Sequence, residues 1–384
     1  MQKLKPDYQK VLDDLLKDIK KHSNSFLGYP VSKDFNFEDL SEFLNYPMNN
    51  LGDPFVGSTY QVGSRNQETE VIAFFADLFR APIDNFWGYV TNGGSEGNLY
   101  GLYLARELHP KAMVYYSEAT HYSVHKNLHL LGLQSIVIKT QDNGEIDYDD
   151  LRLNIGMNRH LPAIIMANIG TTMTEARDDI YQIRSILKNL AIQKFYIHAD
   201  AALSGVYSAF IKPRPAFDFA DGADSIAISG HKFLGSPMPC GVVIVKRSNK
   251  DRIARTISYI GSMDTTITGS RNGHTPLFLW YSIKTLGIEG LKSRAMQSLM
   301  VAEYATNKLM AAGIDAWRNP HAITVNFPSP PLSICQKWQL ASEDSLAHII
   351  CMPNVSTDQI DQFVLDMKEA NREITMHSAQ LQTY

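Results

Sequence analysis

Short apolar runs alternate with helix-length segments between residues 88 and 246, and this alternation constrains the fold more than any other feature. Helical segments such as Ser95–Leu108 and His121–Leu131 separate most of the runs. Because parallel strands need long crossover connections, the alternation predicts an α/β fold with a mostly parallel sheet covered by helices. The runs with the length of strands are Gly88–Thr91, Met113–Ser117, Ser135–Lys139, Ala163–Asn168, Phe195–Ala199, Ser225–Ser229 and Val242–Lys246. No helix separates the last two, so we expect one antiparallel strand at an edge of the sheet.

The segments on either side of this region have different patterns. Near the N-terminus, apolar residues recur at helical spacing and predict an amphipathic helix whose apolar stripe packs on something: Leu4, Tyr8, Val11, Leu12, Leu15, Leu16 and Ile19. Beyond Pro276 the sequence predicts a smaller α+β lobe with helices at Pro276–Gly287, Leu291–Gly313 and from Thr357, and strands at Ile323–Phe327 and His348–Met352. We therefore expect an N-terminal helical segment (1–50), a large ligand-binding domain (51–275) and a small C-terminal domain (276–384).

Composition excludes several classes of protein. The 384 residues include 36 basic and 40 acidic side chains, a net charge of −4, so we expect no nucleic-acid partner and no anionic membrane partner. The first twenty residues carry many charges, and no apolar run reaches the length of a membrane span. The three cysteines, Cys240, Cys335 and Cys351, are widely separated, as in a reduced protein. We expect a soluble, cytoplasmic protein.

A carboxylate and a lysine follow neighbouring predicted strands. Asp200 ends an apolar strand, where ligands bind in open α/β sheets, although an aspartate there can also cap a helix. Lys232 lies between two apolar runs, 32 residues further on. A lysine is usually a solvated surface charge, but a desolvated lysine loses its proton more easily and becomes a nucleophile for a carbonyl.

A glycine-rich turn and a histidine repeat add two further candidate contacts. The turn at 91–98 opens a helix, where backbone N–H groups can bind an anion, although a plain turn with Ser95 as the helix cap explains it equally well. His121, His125 and His129 share one helical face, which could bind a metal in a non-catalytic protein. We do not favour this metal-binding interpretation, because the three histidines are not part of a His-Glu-x-x-His motif. We therefore expect no metal. His121 could instead lie flat on a planar cofactor.

Together, a phosphate cup, a flat ring, a carboxylate at a strand end and a buried lysine match the contacts that pyridoxal 5′-phosphate requires. The motifs also resemble those of the group II pyridoxal-phosphate amino-acid decarboxylases, with bacterial histidine decarboxylases and plant serine decarboxylases as the most similar groups. The resemblance spans about Phe26 to Met367 and is carried by 91–98, 121–123, 168–172, 198–202, 229–232 and 269–274. It implies the fold type I transferase architecture and a homodimer with active sites at the subunit interface.

The resemblance also implies roles for individual residues. Lys232 corresponds to the lysine that holds the cofactor, Asp200 to the partner of the pyridine nitrogen and His121 to the stacked ring, with Ala202 on the opposite face. Thr172 falls near the cofactor's 3′-oxygen. The positions that correspond to phosphate contacts are Gly94, Ser95, Ser229 and His231.

The proton donor and the substrate are less constrained. Many relatives use a loop tyrosine as the proton donor; the segment at 259–269 is short, which leaves Tyr259, His274 and Lys232 as candidates. We expect decarboxylation of L-histidine to histamine, with L-serine or another small polar amino acid as the alternative. An aminotransferase or lyase is a further alternative, and Arg318 is the candidate carboxylate clamp that an aminotransferase would need.

Overall fold

The computed structural model describes residues 4–252, 255–257 and 262–381. Within these ranges, no helix combines the length and the apolar character needed to cross a lipid bilayer.

A seven-stranded sheet forms the centre of the described structure. Its strands are β1 (Phe86–Thr91), β2 (Met113–Ser117), β3 (Ser135–Ile138), β4 (Ala163–Asn168), β5 (Phe195–Asp200), β6 (Ser225–Ser229) and β7 (Gly241–Lys246), in the spatial order β1-β7-β6-β5-β4-β2-β3. The strands from β3 to β6 in this order are parallel, which confirms the predicted fold class. The antiparallel strand, however, is β7, and the prediction that it lies at an edge is wrong. β1 pairs with its outer side, so β7 is antiparallel to both neighbours.

Helices pack around the sheet, and the five of them that are ten or more residues long bury apolar side chains. They are α2 (Arg65–Leu78), α3 (Gly94–Leu108), α4 (Tyr122–Leu131), α5 (Tyr148–Met157), α6 (Ile180–Asn189), α7 (Gly205–Ser208) and α8 (Arg247–Lys250). Helix α3 contacts β5, β6 and β7 on one face of the sheet, and its side chains join the apolar cluster that includes Trp87 and Tyr196. The parallel strands β4 and β5 end in polar residues, Asn168 and Asp200, which are paired in register. The carboxyl edge of the sheet is therefore the polar edge.

The C-terminal part contains a second, three-stranded antiparallel sheet, β10 (Thr324–Pro328), β12 (Leu346–Ile350) and β11 (Ala341–Glu343), in that spatial order. The short strands β8 (Arg255–Ile257) and β9 (Ser262–Asp264) form a separate pair. The two predicted helices after Pro276 are confirmed: α9 (His274–Ala311) is divided into two helices by a kink at Gly287, where φ is 58°. Helix α10 (Leu332–Trp338) and β11 were not predicted, whereas α11 (Thr357–Leu381) begins at the predicted residue.

A buried ion pair holds the 269–274 motif to the large sheet. Arg271 pairs with Glu68, and Glu68 also accepts hydrogen bonds from Asn50 Nδ2 (2.8 Å) and from the backbone N–H of Val90 (2.9 Å). Breaking such a pair leaves an uncompensated buried charge, so this motif has a structural role here.

The N-terminal helix α1 (Pro6–Ser23) departs from expectation within a single chain. Its predicted apolar stripe does not pack on the part of the chain that the structure describes: each of its seven residues is more than half exposed. The boundaries of the three predicted domains stay a prediction.

Candidate active site

A cavity of about 650 Å³ opens at the carboxyl edge of the large sheet. Its lining brings together residues from the strand ends, from the start of α3 and from the region around His121. It contains all nine residues that the sequence assigned to cofactor binding: Gly94, Ser95, His121, Thr172, Asp200, Ala202, Ser229, His231 and Lys232. The N-terminal segment and the small sheet form another part of the wall.

Asp200 is buried at the end of β5, and two donors hold its carboxylate. Asn98 Nδ2 donates to Oδ2 at 2.7 Å, and the backbone N–H of Ala202 donates to Oδ1 at 3.2 Å. Both groups can only donate, so Asp200 is held as a hydrogen-bond acceptor on both of its oxygens. Asp200 does not cap a helix of its own: α7 begins at Gly205.

Lys232 follows β6 and lines the same cavity. Burial lowers the pKa of its ammonium group, and the nearby carboxylate of Asp200 opposes this effect. A lower pKa increases the share of neutral amine, which is the nucleophilic form.

The start of α3 forms a donor-rich part of the wall. The helix begins at Gly94, with Gly93 as its N-cap, so the alternative in which Ser95 caps the helix is wrong. A Cβ atom on Gly94 would lie 2.8 Å from Ser229 Oγ and 3.1 Å from Ala202 Cβ, so a larger residue would crowd both side chains. This helix end therefore presents free N–H groups and a positive dipole to the cavity.

His121 is the N-cap of α4, where its Nδ1 accepts a hydrogen bond from the backbone N–H of Ser123 at 3.3 Å. Burial lowers the pKa of His121, with Asp200 opposing. The neutral ring therefore carries its proton on Nε2. His125 and His129 are exposed on α4. Among the described residues, no group of three or more His, Cys, Asp or Glu side chains is arranged to hold a metal ion.

His231 faces the β7 side of the cavity. Its Nδ1 lies 2.9 Å from the carbonyl oxygen of Cys240, and burial lowers the pKa of the ring. Thr172 is exposed in the loop after β4.

The opposite wall comes from segments that the sequence did not predict to meet. Tyr29 and Pro30 from the N-terminal segment lie in the wall with Ala341, His348 and Ile350 from the small sheet. His348 connects the two: its Nε2 lies 3.2 Å from the carbonyl oxygen of Gly28, and its Nδ1 lies 3.0 Å from that of Met173.

Three other candidates have different positions. His274 Nε2 lies 3.1 Å from the carbonyl oxygen of Phe43, and His274 is not among the described residues that line the cavity. Arg318, also outside that lining, donates to the carbonyl oxygen of Ala322 at 2.9 Å. Tyr259 lies outside the described residues.

Sequence reasoning missed Asn98 and His198, which lie behind Asp200. His198 was detectable, because it is two residues before Asp200 and strand side chains repeat with period two. Asn98 belongs to the glycine-rich turn at 91–98, and nothing in that local pattern distinguishes it from the other polar residues.

Comparison with known proteins identifies the family. Residues 66–316 match the model described as the pyridoxal-dependent decarboxylase conserved domain. The chain belongs to the pyridoxal-dependent decarboxylase family. It is a pyridoxal-phosphate-dependent amino-acid decarboxylase, a carboxy-lyase that acts on a small-molecule amino acid.

Two relatives illustrate the extent of the similarity. A histidine decarboxylase of Mesorhizobium japonicum is 50% identical over 369 residues, which cover 96% of this chain and 100% of that protein. A histidine decarboxylase of Morganella morganii is 48% identical over 344 residues, which cover 89% and 91% of the two chains. The crystal structure of L-methionine decarboxylase from Streptomyces sp. 590 with L-methionine methyl ester has a TM-score of 0.90 at 25% identity and covers 95% of each chain.

The residues present fit pyridoxal phosphate. Gly94 lets the N-terminus of α3 lie close to Ser229 and Ala202 in the cavity wall, and the N–H groups of this helix end suit a phosphate group. The carboxylate of Asp200 suits a protonated ring nitrogen, and Lys232 supplies the amine that the aldehyde requires.

Proposed function

We propose that this enzyme decarboxylates L-histidine to histamine and carbon dioxide, using Lys232, Asp200 and His121. The observation that carries the proposal is that these three side chains line one cavity with the N-terminus of α3. The choice of L-histidine is supported by relatives named histidine decarboxylase that are 50% and 48% identical over most of their length.

Each residue has a distinct task. The neutral amine of Lys232 would hold the cofactor covalently at its aldehyde carbon, with the aldehyde oxygen released as water. The amides at the start of α3, with Ser229 and His231, would bind the phosphate. His121 and Ala202 would contact the ring. When bound, the cofactor supplies an electron sink for the bond that breaks.

Asp200 determines how strongly the bound cofactor can withdraw electrons from the bond that breaks. Its carboxylate would accept a hydrogen bond from the ring nitrogen and so favour the protonated form of that nitrogen. The substrate carboxylate leaves as carbon dioxide, its bonding electron pair stays with Cα, and a proton delivered to Cα completes the amine. Of the three candidate donors of that proton, Lys232 lies in the described cavity.

The position of Arg318 disfavours the aminotransferase alternative. A transaminase gains from a firm clamp on the substrate carboxylate, but Arg318 binds a backbone carbonyl outside the described lining. A decarboxylase gains instead from leaving that carboxylate poorly solvated, since its charge disperses as the bond breaks.

We also infer a homodimer, because the exposed apolar stripe of α1 needs a covering surface and a second copy supplies one of the same kind. Leu12→Glu should shift the enzyme toward monomer in analytical ultracentrifugation. Lys17→Glu, on the polar face of α1, is the matched control. An unchanged monomeric mass for both variants and for the parent chain would contradict the inference. The cytoplasmic location stays a prediction.

The decisive assay measures amine and carbon dioxide release by the purified enzyme loaded with pyridoxal phosphate, across the L-amino acids, with Lys232→Ala as the blank. We expect release from L-histidine and none from the blank. Release from L-serine alone would show that L-serine, not L-histidine, is the substrate. Transfer of the amino group to pyruvate without release of carbon dioxide would show that the enzyme is an aminotransferase.

A further inference from the structure

Three buried polar side chains form a continuous hydrogen-bonded chain behind Asp200. Ser225 Oγ lies 2.6 Å from His198 Nδ1, and His198 Nε2 lies 3.0 Å from Asn98 Oδ1. Asn98 Nδ2 then donates to Asp200 Oδ2 at 2.7 Å. Asn98, His198 and Ser225 are together called the support chain. Asn98 lines the cavity, whereas His198 and Ser225 are not among the described residues that line it.

The carboxylate fixes the direction of every bond in the support chain. Because Asp200 accepts, Asn98 must present its NH₂ group to Asp200 and its oxygen to His198. His198 must then carry its proton on Nε2, which leaves Nδ1 to accept from the hydroxyl of Ser225. Each member thus donates toward Asp200.

Burial keeps His198 neutral, which this arrangement requires. His198 is fully buried, and burial lowers its pKa to about 4 although Asp200 opposes the shift. A protonated His198 would donate from both nitrogens and could not accept from Ser225.

The backbone holds the support chain in place. His198 and Ser225 are paired in register on the adjacent parallel strands β5 and β6. On the other side, a Cβ atom on Gly101 of α3 would lie 2.1 Å from His198 Nδ1, so the imidazole packs directly against the helix backbone. The ring therefore has little freedom to turn, and the order of donors is preserved.

We propose that Asn98, His198 and Ser225 are positioning residues that hold Asp200 as an ionised acceptor and thereby keep the ring nitrogen of the cofactor protonated. The inference rests on the role proposed above for Asp200. No proton moves along the support chain: it supplies one hydrogen bond to the carboxylate and fixes the orientation of the amide that makes it. Losing a hydrogen bond to a charged group corresponds to roughly tenfold to a hundredfold in rate.

A matched pair of substitutions at His198 separates positioning from packing. The amide nitrogen of a glutamine can occupy the place of His198 Nε2 and donate to Asn98, whereas asparagine reaches only the place of Nδ1. His198→Gln should therefore preserve the hydrogen bond to Asn98, and His198→Asn should break it. Asn98→Leu removes the donor to Asp200 at similar volume. Ser204→Ala is the control, since Ser204 is equally buried but donates to the carbonyl oxygen of Ile169.

The test loads each full-length variant with pyridoxal phosphate labelled with ¹⁵N in the ring and records the ¹⁵N chemical shift of that nitrogen. We expect a protonated nitrogen in the parent enzyme, in His198→Gln and in Ser204→Ala. In His198→Asn and Asn98→Leu the shift should move toward the unprotonated value, and kcat should fall about tenfold to a hundredfold with a smaller change in KM.

Equal ¹⁵N shifts in all loaded variants would overturn the proposal, even if activity falls. If His198→Asn fails to fold, Asn98→Leu still gives the comparison with Ser204→Ala. An unprotonated nitrogen in the parent enzyme would instead overturn the role of Asp200 itself, so the two failures are distinguishable.

Discussion

The two walls of the cavity are built in different ways. The cofactor-facing wall consists of short motifs at the ends of neighbouring strands and at the start of α3, including Asp200, Lys232 and Gly94. The wall that contains Tyr29 and His348 joins segments more than 300 residues apart and is held by bonds to backbone carbonyls. This difference indicates that the type of reaction can be predicted from local sequence motifs, whereas the choice of substrate depends on contacts between distant segments.

Of all the substitutions, removing the amine of Lys232 from the cofactor-facing wall should reduce activity the most. Lys232→Ala is expected to reduce histamine formation below about a thousandth of the parent rate, because no other group then holds the cofactor covalently. The rate of product formation at saturating pyridoxal phosphate is the measurement. Lys188→Ala, on the exposed end of α6, should retain the parent rate. Equal activity of Lys232→Ala and the parent would refute the assignment.

Replacing the carboxylate of Asp200 should cause the second-largest loss of activity. Asp200→Ala is expected to lower kcat about a hundredfold while cofactor affinity falls much less, because the carboxylate acts on charge that develops during the reaction. Stopped-flow kinetics and cofactor titration measure the two effects separately. Full turnover in this variant would contradict the role of Asp200.

The support chain predicts a pH dependence of stability. Burial lowers the pKa of His198 to about 4, so between about 6.5 and 4 the unfolded chain binds a proton that the folded chain does not. Folding should therefore lose stability as pH falls through this window, by at most about 3 kcal/mol from this group. Chemical unfolding at pH 7 and pH 4.5 measures it, and His198→Gln should show a smaller loss. An identical loss in both proteins would count against a neutral His198.

A change in the opposite wall should affect the substrate more than the cofactor. His348→Gln weakens the contacts with Gly28 and Met173 and is expected to raise KM for L-histidine roughly three- to tenfold, with cofactor affinity unchanged. Steady-state kinetics and cofactor titration are the measurements. His160→Gln, at an exposed position after α5, serves as the control. A loss of cofactor affinity with unchanged KM would reverse the comparison between the walls.

Arg318→Ala should have the smallest effect. The guanidinium binds a backbone carbonyl outside the described lining, so amine formation should stay within about twofold of the parent, the range expected for a substitution away from the site. A collapse of activity with unchanged thermal stability would indicate a carboxylate clamp and favour the aminotransferase alternative.

The sequence predicted the elements whose signal is local. Apolar runs bounded by turns predicted every strand of the large sheet, and the residues at their ends include Asp200. The inner position of β7 was not predictable in this way, because it depends on where β1 inserts. The kink at Gly287, by contrast, lies where the sequence predicted the end of one helix and the approach to the next, because the signal of a glycine in a helical pattern is local.

The rest of the site required the three-dimensional structure. The contact between His348 and Gly28 joins the small sheet to the N-terminal segment, and nothing in either local sequence indicates it. In the sequence, Asn98 is indistinguishable from the other polar residues of the glycine-rich turn. Only the packing of α3 on β5 brings its side chain to Asp200.

The central claim is that Lys232 is the residue that holds the cofactor in this cavity. The most direct test is reduction of the loaded enzyme with sodium borohydride, followed by proteolysis and mass spectrometry of the labelled peptide. The account predicts a single pyridoxyl group on Lys232, and a label on another lysine, or none, would contradict it.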